Sequence, residues 1–78
     1  MRTVNLSIHE NVNIHDPKLQ QAIGYMSTWA NADLVELFID RDSHITGHYY
    51  RCPADTPKKH FYTIGGIRAA DGSYSFHS

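Results

Sequence analysis

Six histidines in 78 residues are the first chemistry to weigh. A protein-bound metal needs side chains that bring their donor atoms within about 2 Å of one ion. His44 and His48 share one face of a predicted strand, but four strand residues span roughly 13 Å. Sharing an ion would require His60, His77 or an aspartate from another strand, and no familiar ligand spacing links these residues. No metal and no other cofactor is expected. His44, His48, His60 and His77 could still act together as a pH-sensitive group, because imidazole titrates near neutrality. Polar histidines facing solvent account for the same residues without any such role.

Cys52 is the single thiol. With a histidine as base, and Arg51 beside it to favour the thiolate, it would serve as a nucleophile. It precedes Pro53 at a predicted strand end, and no local signature of a cysteine enzyme surrounds it. An unreactive, partly buried thiol is the plainer reading. Asp40 and Asp42 flank Arg41 in a turn-like stretch, where acidic residues serve backbone conformation. Neither a second carboxylate pair, nor a glycine-rich phosphate loop, nor a Ser-His-Asp order accompanies them. No catalytic residues are assigned, and the chain is not expected to be an enzyme.

The most suggestive group is aromatic and basic. Tyr49, Tyr50 and Arg51 end one predicted strand, and Lys58, Lys59, Phe61 and Tyr62 begin another around His60. On neighbouring strands they would gather rings and cations, the combination favoured at protein–protein hot spots. Single-stranded nucleic acid is bound by similar means, with bases stacked on rings and phosphates tracked by cations. Strand alternation requires about half of these rings to be core.

The elements that would position them follow from local pattern. Val4, Leu6 and Ile8 alternate with polar neighbours, as in a half-buried strand. Asp16-Pro17 starts a helix, the aspartate capping free amides and the proline suiting the first helical position. Leu19, Ala22, Ile23, Met26, Trp29 and Ala30 then form an apolar stripe of about four turns. Asn31 is a fitting terminator. Residues 34–39 fit either a helical continuation or a strand; their β-favouring composition and the turn at 40–43 select the strand. Residues 44–51 return as a hairpin partner, with Ile45, Gly47 and Tyr49 on one face and His44, Thr46, His48 and Tyr50 on the other. A proline-punctuated loop follows at 52–57.

Asp71-Gly72 predicts a two-residue hairpin turn with positive φ at both positions. That register pairs Ala69 with Tyr74, Arg68 with Ser75 and Ile67 with Phe76, placing Ile67, Ala69, Tyr74 and Phe76 on one face. Gly65-Gly66 suggests a bulge that would turn Tyr62 and Ile64 toward the core. The expected fold is α+β, in the order β-α-β-β-β-β, with one helix packed on a mostly antiparallel sheet of about five strands. Residues 1–78 read as a single small domain.

Composition bounds the function. Hydrophobic residues make up 41% of the chain and the formal net charge is −1, so no overall field draws it to nucleic acid or an anionic membrane. No apolar run approaches the roughly 20 residues of a membrane span, and the first residues lack the apolar core of a signal peptide. A soluble, cytoplasmic location is expected. So small a domain leaves little room for an enclosed substrate pocket. The expectation is a non-enzymatic protein–protein interaction module, an accessory protein or inhibitor of the kind carried by phages and mobile elements. Its partner would be another protein, or a second copy of the chain. Single-stranded nucleic acid is the alternative, and no membrane is involved.

Overall fold

The computed structural model describes residues 2–29, 31–51 and 59–78. The order is β1 (Thr3–Ile8), α1 (Pro17–Thr28), β2 (Leu34–Ile39), β3 (Ile45–Arg51), β4 (His60–Arg68) and β5 (Tyr74–His77). The five strands lie in sequence order across one mixed sheet. β1 runs parallel to β2, joined by the helical crossover that parallel strands require. The pairs β2–β3, β3–β4 and β4–β5 are antiparallel. The architecture is therefore α+β, with residues 34–39 in the sheet.

The helix begins where the sequence places it. The Asp16 carboxylate accepts the Lys18 amide, and Pro17 opens the first turn. The helix spans 12 residues and ends before Asn31, whose φ of 47° is the left-handed conformation that asparagine tolerates. Its buried face, Leu19, Ala22 and Met26, meets Val35, Leu37, Ile39, Ile45, Tyr49 and Ile64 from the sheet. Burying each large side chain contributes about 1.5–3 kcal/mol, and the six largest fully buried are Tyr49, Leu19, Met26, Leu37, Ile45 and Val35. Val12, after the turn that ends β1, packs on the edge of this core, whereas Ile14 is exposed.

The last hairpin departs from the expected register. Arg68 pairs with Tyr74, Ile67 with Ser75, Gly66 with Phe76 and Gly65 with His77. Among the described turn residues only Gly72 has positive φ (90°), and Ala69 closes the loop with bonds to both Gly72 and Ser73. The connection is a three-residue loop ending in a left-handed glycine, another common hairpin solution. Since side chains alternate, this one-residue shift sends Ile67 to the opposite face and brings Arg68 to the helix side. There Arg68 forms an ion pair with Asp16. The expected bulge at Gly65-Gly66 is also not formed, because β3 and β4 pair one-for-one from Ile45–Gly66 to Arg51–His60. Tyr62 and Ile64 reach the helix side by simple alternation. Gly66 instead makes room for the helix, since a Cβ there would lie 3.2 Å from the Met26 sulfur.

A polar clasp holds the hairpin to the rest. The Tyr74 hydroxyl donates to the Ser43 carbonyl at 2.6 Å, and the Arg68 amide donates to His44 Nδ1 at 3.0 Å. Lys18 Nζ donates to the Asp71 carbonyl. Burial works to raise the Asp16 pKa, but Arg68 and the Lys18 amide outweigh it and hold the carboxyl below its usual range.

Candidate functional site

One face of the sheet is covered by α1; among the described residues the other carries no helix. Registers assign each side chain. Val35, Leu37, Ile39, Ile45, Gly47, Tyr49, Tyr62 and Ile64 share the covered face. Leu34, Glu36, Phe38, Thr46, His48, Tyr50, Phe61 and Thr63 share the bare one.

On the bare face, aromatic rings form a continuous row across three strands. Phe38 lies 5.2 Å from the His48 ring, His48 lies 5.5 Å from Phe61, and Phe61 lies 5.1 Å from Tyr50. Lys59 places its ammonium 5.7 Å from the Tyr50 ring centroid. Edge-on and tilted contacts at these distances are favourable for aromatic pairs, and a cation over a ring adds to them. Glu36 stands directly across from His48. Partial desolvation, and then the Glu36 carboxylate that accepts its hydroxyl, hold the Tyr50 phenol above its ordinary pKa. Phe38 is 40% exposed and Phe61 54% exposed, so the row meets solvent at these two rings.

The seven residues read from the sequence do not form one surface. Tyr50, Lys59 and Phe61 come together in the row. Tyr49 lies beside Tyr50 in sequence but is completely buried on the covered face, with its ring edge-on to Trp29. Its hydroxyl is buried, with no hydrogen-bond partner among the described residues. Burial, with a smaller contribution from Tyr25, pushes its pKa up to about 12. Tyr62 is on the covered side beyond the helix, 38% exposed and stacked with His60. Arg51 pairs with His60 at the same end of the sheet and is exposed. Lys58 and Cys52 lie outside the described residues. Phe38 and His48 complete the row and were not among the seven. Their signal was parity: Phe38 alternates out of phase with Val35, Leu37 and Ile39, just as Tyr50 does with Tyr49.

Asp40, His44 and His9 serve structural roles. Asp40 accepts the amides of Asp42 and His44, which fixes the β2–β3 turn. His44 accepts the Arg68 amide, and His9 Nδ1 accepts the Asn11 amide. Among the described residues, no three His, Cys, Asp or Glu side chains converge as metal ligands. A groove of about 350 Å³ runs between α1 and β5, lined by Lys18, Ala22, Tyr25, Tyr74 and Phe76 among others. Ser73, also in its lining, donates its hydroxyl to the Asp71 carboxylate at 2.6 Å. No helix among the described residues is long and apolar enough to cross a membrane. Comparison with family models, with curated proteins and with solved structures finds no match for this chain.

Proposed function

We infer that this protein is a non-enzymatic protein-binding module, an accessory protein or inhibitor, and that its contact surface is the row Phe38–His48–Phe61–Tyr50. The observation that carries this reading is the half-exposure of Phe38 and Phe61 within one contiguous row of rings on the bare sheet face. Exposed aromatics supply large contact area at a small cost in side-chain freedom, which is why they anchor protein interfaces. Among the described residues a cation, Lys59, and an acid, Glu36, stand beside the row, a mixture that suits a protein surface of mixed charge. Single-stranded nucleic acid fits less well. Its binding sites line the phosphate path with cations, whereas here a carboxylate lies in the row and the chain carries a net charge of −1.

The test compares wild type with the Phe38→Ala/Phe61→Ala double variant in pull-downs from the source cells, with half of each sample nuclease-treated. A protein retained by wild type through nuclease, and lost by a variant that is still folded, is the expected result. Retention of the same protein by the double variant would remove this face from the function. Material lost on nuclease treatment, together with oligonucleotide affinity that falls steeply with salt, would assign the row to nucleic acid instead.

A further inference from the structure

β1 is a sheet edge, and it lacks the features that usually protect one. The Thr3 amide donates to Asp33 and the His9 amide to Ile39, so odd-numbered residues direct their backbone bonds toward β2. The N–H and C=O groups of Val4, Leu6 and Ile8 therefore point outward, away from the sheet. Natural edges are blunted by lysine, proline, bulges or shortness. The segment Thr-Val-Asn-Leu-Ser-Ile has no charge and no proline, and it pairs with β2 one-for-one over six residues. Its apolar side chains are on the helix side of the sheet, yet Val4 is 38% and Leu6 48% exposed. The crossover helix thus leaves the strand short of cover.

We propose that β1 pairs antiparallel with β1 of a second copy of this chain, joining two sheets across a two-fold axis at Leu6. Hydrogen-bonded antiparallel pairs need residues whose backbone groups both point outward. The register that uses all of them sets Val4 opposite Ile8 of the second copy, Leu6 opposite Leu6, and Ile8 opposite Val4. Because these residues share one face, the pairing also gathers the exposed apolar side chains of both copies on the helix side. Asn5 then faces Ser7 on the other side. Arg2 is held within its own chain by the Ser27 and Ala32 carbonyls and the Asn31 side chain, and Glu10 lies in the turn beyond β1, so the strands meet over an uncharged segment that imposes no repulsion. A foreign strand would satisfy the backbone alone; the match of the partly exposed, uncharged Val4, Leu6 and Ile8 to their own copies selects a second copy. This surface is separate from the aromatic row, and either assignment stands without the other.

Sedimentation equilibrium from about 10 μM to about 1 mM tests it, the range in which so small an interface associates. The samples are wild type, Leu6→Lys, Leu6→Glu and an equal mixture of the two variants. Wild type should dimerise. Each variant alone should dimerise at least about tenfold more weakly, because like charges meet on the axis, and the mixture should recover the dimer. A wild type that stays monomeric throughout overturns the proposal, as does a dimer that both substitutions leave intact. If either variant fails to fold, amide exchange on wild type decides. Protection of Val4, Leu6 and Ile8 that rises with protein concentration supports the pairing, and concentration-independent exchange refutes it.

Discussion

Tyr49 and Tyr50 are adjacent in β3 and differ in nearly everything that physical chemistry attaches to a tyrosine. Tyr49 points under the helix, fully buried, with its hydroxyl unbonded among the described residues. Tyr50 points to the bare face, where its ring meets Phe61 and Lys59 and its hydroxyl meets Glu36. One residue type thus serves as core filler on one face and as part of a contact surface on the other. Position in the pleat decides which.

The largest effect expected from this contrast is in stability. Tyr49→Ala should cost about 3–5 kcal/mol, and Tyr50→Ala about 1 kcal/mol or less. Urea titrations of the two variants would measure it, and equal losses would erase the distinction between the faces. A smaller loss is expected at Gly47, which lies opposite Ile64 on the covered face. A Cβ there would come within 2.7 Å of the Tyr49 ring and hydroxyl, so Gly47→Ala should cost about 1–3 kcal/mol. Combining Gly47→Ala with Tyr49→Leu should recover part of that loss, because the colliding ring is gone.

The smallest effect is the sharpest. Tyr49→Phe keeps the ring and deletes an unbonded buried hydroxyl, so stability at neutral pH should hold or rise by up to about 1 kcal/mol. The same variant should alter the alkaline limb. Burial raises the Tyr49 pKa from 10.0 to about 12, so the contribution is complete below pH 10 and is lost as pH rises toward 12. Stability measured across that window should fall for wild type and fall less for Tyr49→Phe. Identical slopes would show that the hydroxyl ionises as freely in the folded chain as in the unfolded one.

What the sequence made legible was local. Asp16-Pro17 marks the helix start because capping and proline geometry are properties of neighbouring residues. Residues 34–39 read as a strand because β-branched and aromatic residues run up to a turn held by Asp40. The last hairpin shows where locality ends. Asp-Gly suits both a two-residue and a three-residue loop, and the choice follows from contacts across the fold. Arg68 reaches Asp16, and Tyr74 reaches Ser43, only in the longer loop's register. The candidate site divided for a related reason. Alternation puts half of Tyr49, Tyr50, Phe61 and Tyr62 on each face, and of the two on the covered face only Tyr49 is core, Tyr62 being 38% exposed. Which half is covered depends on the face that α1 takes, which is a property of the crossover and not of any one strand. Phe38 went unnoticed because, within its own run of apolar residues, it resembles core.

The ion pair between Asp16 and Arg68 also has a place in time. Asp16 caps the helix near the start of the chain, while its guanidinium partner is 52 residues further on. At about 5–20 residues per second, a ribosome makes the cap roughly 3–10 s before it makes the arginine. Within that interval the helix, β2 and β3 are made, all before the hairpin that later clasps the helix start. The nascent chain must therefore hold its parallel crossover with β2 and β3 alone, the apolar faces that Ile64, Tyr74 and Phe76 later meet still uncovered. Delay or truncation before Arg68 would leave those faces available to whatever binds exposed apolar chain during synthesis.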